Sequence, residues 1–180
     1  MDRAPAAVII GDPTTRLWGM TSAERLRRSL ARAGVQEIPA DTPAGAGPLV
    51  VLKADWVFDD SLVRQLAETP DVALVSDQGD RVAALHGAAD KAAAAAALLR
   101  QNAGPDAFAA LGLRLLRAAD LAGTFNNALR KRQPPLLAPL TADNVGSIEK
   151  RLFDGSYKGV TDAVTKYAWP WPARHVTKWC

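Results

Sequence analysis

The sequence is poor in cysteine and histidine, and it contains no long apolar run. Its single cysteine, Cys180, excludes an internal disulfide and fits a reducing compartment. One cysteine and two histidines are too few for a zinc site built from His and Cys ligands. The longest apolar stretch, residues 92–99, is far too short to span a bilayer, which takes roughly 20 residues. These absences exclude a disulfide-stapled domain and a His/Cys zinc centre, and they leave no candidate for a spanning helix.

The charge is modest and of mixed sign. A net charge of +3, with 48% hydrophobic and 23% charged residues, is typical of a soluble globular protein. Nucleic acid is therefore not an expected partner. Four arginines nevertheless fall within one predicted helix: Arg25, Arg27, Arg28 and Arg32.

The order of the apolar segments predicts an α/β fold. Short apolar runs predict strands at Ala6–Ile10, Leu49–Lys53, Val72–Val75 and residues 81–85. Amphipathic patterns predict helices from Thr21 to Gly34, over Asp60–Glu68, and over residues 90–101 and 106–119. Strands that alternate with helices favour a sandwich with a mainly parallel sheet. We expect an α/β domain over residues 1–133, a Pro-rich connector over 134–150, and a C-terminal helical segment over 151–180.

The C-terminal segment has the pattern of an amphipathic helix beside a membrane. Phe153, Tyr157, Val160, Val164 and Tyr167 follow one another at steps of three and four, so they share one helix face. Aromatic rings beside cationic side chains are typical of the membrane–water interface. The residues expected at such an interface are Tyr157, Trp169, Trp171, Arg174, Lys178 and Trp179. The alternative is that this helix packs on its own domain.

Two segments at predicted strand ends are candidates for a binding site. Gly11, Thr14, Thr15 and Arg16 follow the first strand, where a loop can place backbone N–H groups and a cation near phosphates. An ordinary strand–helix loop is the alternative, because the segment has one glycine and Pro13 removes a donor.

Asp55 follows the second predicted strand, where a carboxylate is able to hold Mg²⁺ against nucleotide phosphates. Asp59 and Asp60 are better explained as capping residues of the next helix.

Two blocks of sequence resemble known families. The C-terminal block, SYKGVTDAVTKYAWPWPARHVTKWC, resembles the juxtamembrane segment of bacterial CDP-alcohol phosphotransferases that carry a cytosolic extension. The preceding part is similar to sugar nucleotidyltransferases, and to the inositol-phosphate cytidylyltransferase half of bifunctional enzymes in particular. Thr15-Arg16-Leu17 matches the end of their G-x-G-T-R-L loop, and residues 51–55 match the strand that ends in their metal-binding aspartate.

The resemblance implies an abbreviated Rossmann-like, nucleotidyltransferase-type domain on the cytoplasmic face of the cell membrane. Its expected partners are the membrane surface and a downstream transmembrane domain, and it leaves homodimerisation open. The implied ligands are Mg²⁺, at Asp55, and CTP or a CDP-alcohol. Asp12 and Thr14 stand where the family loop has glycines, which predicts a degenerate domain without catalysis of its own.

Two alternatives follow from the same residues. One is an active Mg²⁺-dependent cytidylyltransferase with Arg16 on the triphosphate and Asp55 on the metal. The other is a free-standing peripheral membrane protein, held by the aromatic residues of the C-terminal segment.

Overall fold

A computed structural model describes residues 5–40, 47–126 and 131–155. The strands are β1 (Ala6–Ile10), β2 (Arg16–Leu17), β3 (Met20–Thr21), β4 (Gln36–Glu37), β5 (Leu49–Lys53), β6 (Trp56–Phe58), β7 (Val72–Val75), β8 (Val82–Gly87), β9 (Arg114–Arg117), β10 (Phe125–Asn126), β11 (Lys131–Arg132) and β12 (Leu137–Pro139). The helices are α1 (Ser22–Arg32), α2 (Asp60–Glu68), α3 (Ala92–Arg100), α4 (Pro105–Ala110), α5 (Ala118–Ala122) and α6 (Val145–Gly155), with a 3-10 turn at Ala142–Asn144.

Six strands form one mixed, mostly parallel sheet in the order β4-β1-β5-β8-β7-β9. Strand β8 is antiparallel to both of its neighbours, while β1 pairs in parallel with β4 and β5, and β7 with β9. Helices cover both faces, which makes the architecture consistent with a Rossmann-like fold. The predicted α/β class and mainly parallel sheet are therefore confirmed.

Alternation along the strands divides the core between the two faces. Ala7 and Ile9 of β1 pack in the cluster that includes residues of α1, α2 and α5. Val8, between them, packs on the other face with residues of α3 and α4. Because successive side chains of a strand point to opposite faces, an apolar run without alternation fits a strand buried on both sides.

Local sequence signals fix the ends of α1 and α2. Thr21 and Glu24 form the predicted capping box, in which the Thr21 side chain accepts from Glu24 N–H and the Glu24 carboxylate accepts from Thr21 N–H. After α1, Gly34 takes φ +72°, the left-handed conformation that commonly ends a helix. Asp59 caps α2, as expected, by accepting from Ser61 N–H.

The helix predicted over residues 106–119 is wrong. α4 ends at Ala110, and Gly112 then takes φ +76°, a conformation that breaks a helix and suits glycine. The chain turns back into the sheet, and β9 pairs in parallel with β7. Gly112, in the middle of the apparent helical pattern, therefore marks the end of α4 and precedes β9.

The segment predicted as a Pro-rich connector returns to the domain. β12 pairs with β6 in an antiparallel ladder, and α6 begins at Val145. A third apolar cluster, the C-terminal cluster, joins these parts: Leu17, Val57, Leu136, Leu140 and Ile148. The Trp18 backbone N–H also donates to Glu149 Oε1 at 2.7 Å, which ties the β2–β3 hairpin to α6.

Candidate functional site

The order of the sheet creates a switch point at β1. The chain leaves β1 for β4 on one side and re-enters the sheet at β5 on the other side. In open α/β sheets, ligands bind outside the carboxyl ends of the strands where the order reverses in this way. Ile10 is in register with Lys53, and Ala54 N–H donates to the Ile10 carbonyl at 2.8 Å. The two candidate segments of the sequence therefore begin side by side.

Polar groups from three segments meet at this edge of the sheet. Lys53 Nζ lies 3.6 Å from Asp55 Oδ2 and donates to Asn102 Oδ1 at 2.5 Å. Gly11, at φ +91°, gives the chain a sharp exit from β1 that other residues rarely adopt. Residues 11–16, Lys53, Asp55 and Asn102 are called the switch-point crevice below. Sequence reasoning placed Lys53 in the matching strand without giving it a role, and it did not identify Asn102.

The other predicted loop residues differ in how far they are engaged. Thr14 is exposed and Thr15 is half-buried. Arg16 opens the β2–β3 hairpin, and its guanidinium donates to the Gly19 carbonyl at 2.9 Å. Part of its hydrogen-bonding capacity is therefore used inside the hairpin.

The backbone around Asp55 is held from two sides. Leu140 N–H donates to the Asp55 carbonyl at 2.7 Å, as β12 runs beside β6. Trp56 is 1% exposed, and its carbonyl accepts from Ser22 Oγ at 2.9 Å. Arg81 stacks over the Trp56 ring at 5.0 Å. These contacts fix the Asp55 backbone while its side chain remains exposed.

Within the described residues of the crevice, Asp55 and Asp12 are the carboxylates, and Asp55 lies at the predicted metal position. Proteins bind Mg²⁺ through one or two carboxylates together with waters and substrate phosphates. Here Asp55 forms an ion pair with Lys53, a cation that opposes a metal ion at the same carboxylate. Within the described residues, no group of three or more His, Cys, Asp or Glu side chains is arranged to hold a metal.

A second concave region lies among the helices. A cavity of about 870 Å³ is bordered by α1, the start of α2, residues 133–136 and α6. We call it the arginine cavity, because its charged lining residues are Arg25, Arg28, Arg32, Arg64, Arg151, Asp59 and Asp60. None of the predicted nucleotide-binding residues lines it. The arginine cluster of α1 is visible in the sequence, but nothing local indicates that Arg64 and Arg151 join it.

His86 is the buried titratable group of the sheet. It is 4% exposed, and its Nδ1 lies 2.8 Å from the Leu66 carbonyl, while Nε2 has no hydrogen-bond partner in the described part of the chain. Burial lowers the pKa of His86, against the opposing effects of the Leu66 carbonyl and of Asp71. His86 is thus a packed, neutral histidine.

All six residues expected at a membrane interface lie outside the described residues. Across residues 5–40, 47–126 and 131–155, no helix combines the length and the apolar character needed to cross a membrane.

No protein-family model matches this chain, and no curated protein matches it either. Its function must therefore be inferred from its own residues.

Proposed function

We propose that this chain is a cytosolic accessory domain of a membrane CDP-alcohol phosphotransferase, and that it is a degenerate nucleotidyltransferase-like domain that binds nucleotide phosphates without transferring them. The observation that carries the nucleotide-binding part is that the loop after β1 begins beside Lys53, whose ammonium group is paired with Asp55, at the switch point. The resemblance of residues 156–180 to a juxtamembrane segment supports the membrane part.

The crevice offers two kinds of phosphate partner. Backbone N–H groups of the loop after β1 are placed where α/β proteins commonly receive phosphates. Lys53 adds a half-buried ammonium group at the end of the neighbouring strand. The exposed Asp12 adds negative charge to the same loop, so binding is expected to be weak.

The same residues disfavour transfer chemistry. Nucleotidyl transfer depends on neutralising charge on the phosphates as it develops, usually through metal ions held by carboxylates. Asp55 is ion-paired with Lys53, and Arg16 is engaged with the Gly19 carbonyl. The domain's role is then to retain a nucleotide, or to shape the cytosolic face of the parent enzyme, while the chemistry takes place in the downstream transmembrane domain.

Titration calorimetry with CDP and CTP, with and without Mg²⁺, tests the nucleotide-binding part. We expect weak binding that needs no Mg²⁺, is reduced in Lys53→Met, and is retained in Asp55→Asn. Release of pyrophosphate from CTP with a sugar or polyol phosphate would instead establish an active cytidylyltransferase. The absence of CDP and CTP binding, or binding that Lys53→Met leaves unchanged, would overturn the proposed nucleotide role of the crevice.

Mass measurement and fractionation of the native protein in its source cells test the membrane part. A membrane-bound species much larger than 19.1 kDa is expected, because the phosphotransferase domain would follow in the same chain. A soluble species of 19.1 kDa would refute that parentage.

A further inference from the structure

The arginine cavity has a formal excess of positive charge. Five arginines and two aspartates line it, an excess of three charges. Both carboxylates are already engaged. Asp60 accepts from Ser29 Oγ at 2.6 Å and forms an ion pair with Arg32, while Asp59 caps α2.

Three of the remaining arginines come from three different helices. Arg28 lies on α1, Arg64 on α2 and Arg151 on α6, and each is exposed. None of the three forms an ion pair with another described residue. Packing of the helices thus gathers exposed arginines that lack ion pairs with described residues around one concave space, where a bound anion would give them partners.

A fourth arginine is partly withdrawn from water. Arg25 is half-buried, and its guanidinium lies 5.8 Å from the centre of the Trp18 ring. Burial lowers the pKa of Arg25, against the opposing effects of the charges of Asp60 and Asp59. The stacked ring also holds the guanidinium in place, so less side-chain entropy is lost on binding.

We propose that the arginine cavity binds an anion with at least two phosphate groups, carried by a soluble molecule or by a lipid headgroup. Guanidinium groups bind phosphate oxygens in pairs of parallel hydrogen bonds, which a lysine ammonium does not. Arginines on three helices surround the space, so a single phosphate would leave some of them unpaired. The volume of about 870 Å³ lies within the range of small-molecule sites.

This site is separate from the switch-point crevice. The cavity is lined by residues of α1, α2, α6 and the segments between them, whereas the crevice lies at the ends of β1 and β5. CDP and CTP carry two or more phosphates and are therefore able to enter the cavity as well, so the two sites are separated by variants. Lys53→Met should weaken only binding in the crevice, and Arg28→Gln only binding in the cavity.

The test is titration calorimetry of the 180-residue chain with pyrophosphate, and with inorganic phosphate for comparison. We expect pyrophosphate to bind more tightly than phosphate. Arg28→Gln and Arg64→Gln should each weaken binding of pyrophosphate roughly tenfold or more, the effect of losing a charge-assisted hydrogen bond. Arg114→Gln is the matched control, because it removes the same charge from an exposed position on β9 outside the cavity. Thermal unfolding of each variant confirms that it is folded.

A second arm distinguishes the lipid source. The same four proteins are sedimented with phosphatidylcholine vesicles, with and without cardiolipin, whose headgroup carries two phosphates. Pyrophosphate binding that weakens in the cavity variants alone supports a soluble ligand. Cardiolipin-dependent sedimentation that weakens in the cavity variants alone supports a lipid headgroup. Lack of binding in both arms, or equal behaviour of Arg28→Gln, Arg64→Gln and Arg114→Gln, would overturn the proposal.

Discussion

The switch-point crevice and the arginine cavity differ in where their residues come from. The crevice is formed by residues that directly follow β1 and β5, together with Asn102, which follows α3. The cavity is formed by side chains of α1, α2 and α6, which lie far apart in the chain. A site at strand ends is readable from the sequence around each strand, whereas a site between helices depends on how those helices pack.

The two regions also differ in charge. In the crevice, Lys53 faces Asp55, and the exposed Asp12 lies in the neighbouring loop. In the cavity, the aspartates are engaged and three arginines remain without an ion pair among the described residues. Together the two proposals imply that the principal anion-binding surface of this domain is among its helices, and that the strand ends provide a weaker site.

The largest effect we expect comes from weakening the packing of the C-terminal cluster. This change should reduce ligand binding in the cavity more than ligand binding in the crevice. Ile148 is 4% exposed and packs with Leu17, Leu136 and Leu140. Ile148→Ala should lower the free energy of unfolding by about 2–5 kcal/mol, because it leaves a cavity in the core. Since α6 also carries Arg151, pyrophosphate affinity should fall more than CDP affinity.

Urea unfolding and calorimetry measure these two effects. Lys150→Ala serves as the control, because Lys150 is exposed and its pair with Asp154 contributes at most about 0.5 kcal/mol. Equal losses of pyrophosphate and CDP affinity in folded Ile148→Ala would show that the two regions are not independent.

Replacing Lys53 in the crevice should have the opposite effect, lowering CDP affinity more than pyrophosphate affinity. Lys53→Met removes the ammonium group but keeps an unbranched apolar stem. CDP binding should weaken by about 1.5–3 kcal/mol, the contribution of a hydrogen bond to a charged group, while pyrophosphate binding in the cavity is unchanged. The unfolding free energy should change by less than about 1 kcal/mol, because the partner Asp55 is largely solvated. Calorimetry with both ligands checks this, with Lys150→Met as the control. If Lys53→Met binds CDP with unaltered affinity, the nucleotide does not bind in the switch-point crevice.

Acid should weaken the two regions together, because His86 belongs to β8 in the sheet that supports both. Burial lowers the pKa of His86, so below its ordinary value of 6.5 the unfolded chain binds a proton that the folded chain resists. The stabilising contribution of neutral His86 is therefore fully present above that pH. As the pH decreases below it, the free energy of unfolding should fall by at most about 1.4 kcal/mol per pH unit for this group.

Unfolding measured between about pH 7.5 and 5.5 covers the range in which the two histidines, His86 and His175, titrate, and the variant His86→Gln separates them. Burial raises the pKa of Asp71, but the hydrogen bonds from Ala88 N–H and Lys91, together with the nearby positive charge, lower it below its ordinary 3.8. The stabilising contribution of Asp71 is therefore lost only in a more acidic range. His86→Gln should remove the dependence in the histidine window, while an unchanged slope in that variant would assign the effect to another group.

The sequence predicted what local chemistry determines. The strands Ala6–Ile10, Leu49–Lys53 and Val72–Val75 were predicted with the bounds that the structure gives, because each is an apolar run buried on both faces. The helix Asp60–Glu68 was also predicted with the bounds that the structure gives, because Asp59 is a typical capping residue at its start. The positions of Gly11 and Asp55 at strand ends also followed from local pattern, whereas the pairing of those two strands is a finding of the structure.

Long-range pairing was not predictable in the same way. The two-residue strands β2, β3 and β4 are too short for a periodic signal and exist because of their partners. β6 and β12 have three residues each, and they pair although they lie far apart in the sequence. The arginine cavity was missed for a related reason, because no local pattern links Arg28 to Arg151.

The smallest effect we expect tests a local signal at the start of α1, the helix that carries three of the five cavity arginines. Thr21→Ala removes the side-chain acceptor for Glu24 N–H and should lower the free energy of unfolding by about 1 kcal/mol. Thr21→Ser keeps a hydroxyl and should retain most of that stability. Pyrophosphate affinity should fall less than tenfold in both, because fraying at a helix end is confined to its first turn, which holds Arg25, while Arg28 lies beyond it. Urea unfolding and calorimetry check both expectations. Equal destabilisation by Ser and Ala would show that Thr21 acts through the β2–β3 hairpin rather than as a cap, and a loss of affinity would make the cavity sensitive to the whole length of α1.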